Sequence, residues 1–170
     1  MTEQTHTMAT LDPLPDSARL WVFGASRPLT AGEESRLLNE VEAFLGQWKA
    51  HGHPLAAAHE WRQGRFLLVA VDDTVSAPSG CSIDALVRRL RELEQEMELS
   101  LVGSAPVWYR TEDEIHRVSR PEFKALARAG EITADTLVYD LSLTRLSELR
   151  EGRWETRAGR SWHARYLPTG

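Results

Sequence analysis

The chain has 170 residues, 42% hydrophobic and 26% charged, enough for one globular domain or one with an appended lobe, and for a core that needs no disulfide or metal staple. Its net charge of −5 argues against general nucleic-acid binding, and its single cysteine excludes an internal disulfide. With no secretory apolar region and no apolar run near the ~20 residues that span a bilayer, a cytoplasmic protein with no membrane segment is expected.

Residues 1–18 are polar and without period, which predicts a disordered leader with Met8 as an alternative start. Arg19–Ala25 predicts a strand buried on both sides. Thr30-Ala31-Gly32-Glu33 is a capping box, in which hydroxyl and carboxylate satisfy each other's backbone N–H groups. Leu37, Leu38, Val41, Phe44, Leu45 and Trp48 follow at helical spacing, with Gly52 as the stop. Leu55–Arg62 and Arg65–Asp72 predict a hairpin turning at Gln63-Gly64, its second strand apolar enough to be central. A second amphipathic helix runs from about Ile83 to Glu98. With a strand at Pro106–Arg110 the order becomes βαββαβ, so residues 19–104 predict an α+β fold with a ferredoxin-like core.

Residues 105–170 predict a smaller α+β lobe packed on that core. It has a hairpin around Thr111-Glu112-Asp113-Glu114, a helix capped at Ser119-Arg120-Pro121-Glu122 that stops at Gly130, a strand at Thr136–Tyr139 and a terminal strand near Trp162–Leu167. Charge is uneven: residues 145–170 carry +3 and the remainder −8, so the Arg-rich tail either complements the body or meets an anion or partner.

Cys81 is the residue best placed for chemistry. It lies in Ser79-Gly80-Cys81-Ser82-Ile83-Asp84 at a helix start, where backbone N–H groups and the helix dipole favour a thiolate. Asp84, a nearby negative charge, opposes this, and a lone cysteine is commonly a small buried hydrophobe. A nucleophilic thiol needs a base, and the candidates are His51, His53, His59 and His163. If the two helices run parallel, His51 is remote from Cys81, which favours His163; Cys81 and His163 are then the catalytic candidates, with Ser79, Ser82, Asp84, Trp162 and Arg165 as ligand or partner contacts. The ligand count does not support a zinc site, and no cofactor is implied. The phosphate loop, Gly-x-Gly-x-x-Gly, Gly-x-Ser-x-Gly and Cys-x-x-Cys are all missing, so Asp72-Asp73 at the end of an apolar strand predicts a turn rather than a magnesium site.

Trp48…His51-Gly52, Arg65–Asp72, Ser79-Gly80-Cys81-Ser82-Ile83-Asp84, Leu93-Glu94-Gln95-Glu96 and Ser161-Trp162-His163-Ala164-Arg165 resemble a family of short bacterial proteins often labelled "ABC transporter ATPase". The likeness spans nearly everything after residue 18 but brings no catalytic residues with it. Without a phosphate loop or a Leu-Ser-Gly-Gly signature, the residues here do not support the label. Within Glu114–Tyr139, the progression Ser119-x-x-Glu122-Phe123…Leu126…Gly130-x-Ile132…Asp135-Thr136-Leu137-Val138 is similar to part of a GYF-like adaptor module, whose aromatic residues take proline-rich peptides.

The absent enzyme motifs, the aromatic-rich lobe and the GYF-like stretch together favour a non-catalytic binding or adaptor protein with a protein or peptide partner on the C-terminal lobe. The alternatives are a thiol-dependent enzyme or redox-responsive protein using Cys81 and, third, a nucleotide hydrolase. Trp108, Trp154 and Trp162 form either a hydrophobic cluster or a peptide groove.

Overall fold

Phe66–Val71 is a run of six apolar residues, all fully buried, and a strand apolar on both faces is stable only between two others. The computed structural model, which describes residues 10–103 and 106–169, places it there. Two compact units divide the chain: the first runs to Val102 and includes Thr144–Ser147, and the second comprises Gly103–Leu143 and the residues from Glu148 on.

The first unit contains, in chain order, β1 (Arg19–Gly24), α1 (Ala31–Gly46), a short hairpin of β2 (Lys49–Ala50) and β3 (His53–Pro54), β4 (Ala56–Arg62), β5 (Phe66–Asp72) and α2 (Gly80–Met97). The sheet order is β1-β5-β4, all antiparallel. Gln63 and Gly64, with φ of +57° and +66°, turn the β4–β5 hairpin, and the Arg65 N–H closes the turn by donating to Arg62 O at 3.1 Å. β1 alternates instead of being buried on both sides: Leu20 and Val22 are buried, while Trp21 and Phe23 are half-buried against the core under the helices. That core joins Leu37, Val41 and Leu45 of α1 to Leu67, Val69 and Val71 of β5 and to Leu86, Leu90 and Leu93 of α2.

Thr30 and Glu33 form the capping box, with the Glu33 N–H donating to Thr30 Oγ1 at 3.2 Å and the Thr30 N–H to Glu33 Oε1 at 3.0 Å. The helix ends at Gly46, earlier than its apolar spacing predicts. Trp48 therefore lies beyond it, buried at the start of the β2–β3 hairpin, and Gly52 serves the hairpin turn at φ +80°. Asp72 closes a local turn by accepting from the Thr74 N–H at 3.0 Å, which accounts for the acidic end of β5.

Two expectations about the chain's organisation are corrected. Of the predicted leader, residues 1–9 with Met8 lie outside the described residues, but Leu11, Leu14 and Ala18 are buried and Asp16 accepts from the Ser147 N–H at 2.9 Å. The strand assigned to Pro106–Arg110 does not join the first sheet. After α2 the Glu94 carboxylate accepts from the N–H groups of Leu101 and Val102 at 2.6 and 2.7 Å and turns the chain; the strand then pairs with its own hairpin partner. The free side of β1 instead takes a distant segment: Leu20 donates to Thr144 O and Leu146 donates to Ala18 O, both at 2.9 Å, about an antiparallel bridge between Arg19 and Arg145. The described residues thus establish an α+β fold with strand order β1-β5-β4.

The second unit contains β6 (Val107–Thr111), β7 (Glu114–Val118), α3 (Arg120–Arg128), β8 (Leu137–Tyr139) and β9 (Glu155–Arg157), in the antiparallel order β7-β6-β8-β9. Between β8 and β9, α4 (Leu146–Arg150) begins in the segment assigned to the first unit. Val107, Tyr109 and Val138 face α3 and form a core with Phe123, Ala127, Ile132 and Ala158. The predicted terminal strand is a 3-10 helix, Trp162–Tyr166: the Ser161 hydroxyl accepts from the His163 N–H at 3.2 Å, and the turn brings Trp162 and Tyr166 to one side. No helix among the described residues is long and apolar enough to cross a membrane.

Candidate functional site

Strand register places the aromatic residues of the second unit. Arg117, Trp108, Tyr139 and Glu155 stand opposite one another across β7, β6, β8 and β9 and so share one sheet face, the face opposite Val107 and Tyr109. The Arg117 guanidinium lies 5.7 Å from the Trp108 ring centroid. Tyr139 donates to Glu155 Oε1 at 3.3 Å, and burial first, then the Glu155 carboxylate, push its phenol up to about 12. Trp108 and Tyr139 are both buried, and they line a cavity of about 290 Å³ together with Pro106, Leu141, Trp162 and Arg165.

Trp162 forms a fixed wall of this cavity. Its indole Nε1 donates to Asp140 Oδ1 at 3.1 Å, and the same oxygen accepts from the Ser142 N–H at 2.8 Å and the Ser142 hydroxyl at 2.5 Å. The His163 ring stacks on Trp162 with centroids 3.8 Å apart and planes 23° apart. Arg120 and Arg165 approach the Trp162 ring at 5.1 and 5.8 Å, within cation–π range. A half-buried tryptophan held at its indole N–H and on its ring is organised before any ligand arrives, which lowers the ordering cost of binding.

The cavity does not stand alone. Pro106 and Arg120 also line a space of about 460 Å³ at the start of α3, bounded by Arg117, Val118 and Pro121. On the other side, Ser142 and Trp162 also line one of about 520 Å³ bounded by Asp140, Glu148, Arg153 and Arg160. Shared lining residues set the three cavities side by side, as a row or trough, in the second unit.

His163, the predicted base, is fully buried. Its Nδ1 lies 2.6 Å from Ser161 Oγ, and its Nε2 is buried without a hydrogen-bond partner among the described residues. Burial, joined by the positive charges of Arg120 and Arg165 and partly offset by Asp140, lowers its pKa to about 4, so the ring is neutral near pH 7. It belongs to the second unit and Cys81 to the first.

Cys81 is exposed and not a buried hydrophobe. It occupies the second position of α2. Ser79 is the N-cap and accepts from the Ser82 N–H at 3.1 Å, while Ser82 Oγ accepts from the Ser79 N–H at 2.7 Å. Both serines expected as contacts are therefore committed to the cap, and Asp84, just beyond the first turn of α2, is exposed.

The geometric reason for setting His51 aside is corrected. β1 and β5 run antiparallel and each is followed by a helix that reverses the chain, so α1 and α2 run in opposite senses. Ion pairs between Arg36 and Glu96 at 2.9 Å and between Glu40 and Arg89 at 2.6 Å follow that antiparallel register. The end of α1 thus lies at the start of α2, where Trp48 Nε1 donates to Ser82 O at 2.7 Å and seats the His51-Gly52 hairpin. His59 is buried on β4, and burial lowers its pKa. No group of three His, Cys, Asp or Glu residues placed to hold a metal occurs among the described residues.

Of the expected site residues, the structure brings Trp162 and Arg165 together in the trough. Sequence reasoning did not single out Arg117, Arg120, Asp140, Tyr139 or Arg160. The alternation of Val107 and Tyr109 against Trp108 was the available signal for the aromatic face. No family model, curated protein or solved structure matches the chain.

Proposed function

We propose that the second unit is a peptide-binding module and that the chain acts through it as a non-catalytic adaptor. The observation that supports this reading is the trough walled by Trp162, with its ring held by Asp140 and His163 and its flanks formed by Pro106, Leu141 and Arg165. Fixed aromatic faces beside arginine fit an extended backbone with apolar side chains, and a row of three neighbouring cavities suits a segment better than a compact small molecule. The likeness of Ser119–Val138 to part of a GYF-like adaptor points the same way. For the first unit we favour a ferredoxin-like arrangement: β1-β5-β4 is the order of three of its four strands, and Thr144–Leu146 runs along β1 where the fourth would lie. The adaptor is taken to work in the cytoplasm, where its one thiol stays reduced.

The direct test is selection of peptides from a random display library on the immobilised full chain, followed by titration of the selected sequences. Leu141→Trp fills the central cavity from a half-buried loop position and is expected to weaken their binding at least about tenfold, since bulk is placed where the ligand must lie. Recovery of no peptide, or unchanged binding by a folded Leu141→Trp protein, removes the module reading.

A further inference from the structure

Each of the three neighbouring cavities carries an arginine that pairs with no carboxylate among the described residues: Arg117 in the first, Arg165 in the second and Arg160 in the third. The same cavities are lined by five arginines, Arg117, Arg120, Arg153, Arg160 and Arg165, against three carboxylates, Glu122, Asp140 and Glu148. Glu122 accepts from the Ser119 hydroxyl at 3.0 Å, Asp140 holds Ser142 and Trp162, and Glu148 lies 3.8 Å from Arg153. The lining therefore carries an excess of positive charge, greatest in the central cavity, which has Arg120 and Arg165 and no carboxylate, on a chain whose net charge is −5. Local charge opposite in sign to the whole is what an electrostatically selected ligand requires.

On the basis of the peptide-module reading, we infer that the ligand is an acidic, extended peptide segment. Its carboxylates meet Arg117, Arg165 and Arg160, and an apolar side chain between them enters the cavity beside Trp108 and Trp162. Arg117 lies against the Trp108 ring, and Arg165 lies against the Trp162 ring with its Nε donating to Trp162 O at 3.2 Å, so both guanidinium groups are partly ordered before a carboxylate arrives, which lowers the ordering cost of pairing. The source is a segment of another protein. A single-stranded nucleic acid, which also combines anions with flat rings, is the competitor the experiment excludes.

The probes are fluorescein-labelled nine-residue peptides alternating glutamate with proline, their glutamine–proline and lysine–proline counterparts, and a nine-nucleotide oligouridylate; proline keeps the peptides extended. Titration of the full chain followed by anisotropy is expected to rank the glutamate peptide first, with binding that weakens as salt is raised. Arg117→Gln, Arg160→Gln and Arg165→Gln are each expected to weaken it roughly three- to fivefold, and Arg128→Gln, exposed on α3 outside the trough, to leave it unchanged. Equal binding of the glutamine peptide, preference for the oligouridylate, or indifference to the three arginine substitutions overturns the inference. If display-selected peptides bind in a way that Leu141→Trp abolishes yet carry no acidic residues, the module stands and the acidic ligand falls. If no peptide binds, both fall.

Discussion

His163 holds its imidazole where a proton is costly to accept. With the ring buried and its pKa lowered to about 4, the unfolded chain, with an ordinary value near 6.5, takes up the proton first as pH falls. Stability is therefore lost progressively between about pH 6.5 and pH 4 and is independent of this group above that window. The loss at pH 4 is about 3 kcal/mol from this ring, and buried His59 acts in the same direction. Urea unfolding followed by tryptophan fluorescence at several pH values should show a slope shallower by about one proton in His163→Phe than in the parent. Identical slopes would show that the ring titrates normally. The same residue marks what sequence could and could not supply. Trp162-His163 stood out as an aromatic pair near arginine, but no local pattern distinguishes a histidine packed under a wall from one presented as a base. For Cys81 the sequence left a reactive thiol and a small buried hydrophobe both open, because burial of a thiol at a helix's second position depends on which face the rest of the chain covers.

At the scale of elements, period and capping chemistry were enough for the long segments. α1 and α2 have apolar faces that recur at helical spacing behind serine or threonine caps, and β5 is apolar throughout, so each carries its own instruction for burial. The Ser79 cap is testable on its own: Ser79→Ala removes the acceptor of the Ser82 N–H and is expected to cost about 1 kcal/mol in urea unfolding. A change of only a few tenths would mean that water replaces the hydroxyl without loss. The short elements were opaque for the converse reason. β2, β3, β9 and α4 have two to five residues each, too few to show a period, and exist because tertiary neighbours hold them. Strand partnership was equally hidden: Val107–Thr111 is a strand in either sheet, and only the hairpin that follows decides which. The same limit conceals the trough, since the alignment of Arg117, Trp108 and Tyr139 depends on register between strands far apart in sequence.

For the molecule as a whole, the two units are not consecutive in the chain. Thr144–Ser147 belongs to the first, although the residues on either side of it belong to the second. A chain cut after Val102 keeps β1, β4, β5 and both long helices but leaves the Leu20 N–H and the Ala18 carbonyl without their partners along β1. An open strand edge of that kind recruits other chains. Size-exclusion chromatography with light scattering should find that piece self-associated, in contrast to the parent chain. A monomeric piece with the parent's helical signal would show the returning segment to be dispensable.

The position of that segment also bears on synthesis. A chain emerging from the ribosome completes α2 and then must make β6, β7, α3 and β8 before the residues that seal β1 become available. During that interval the first sheet is assembled but unsealed, a vulnerability set by the order in which the chain is made rather than by the strength of any one contact.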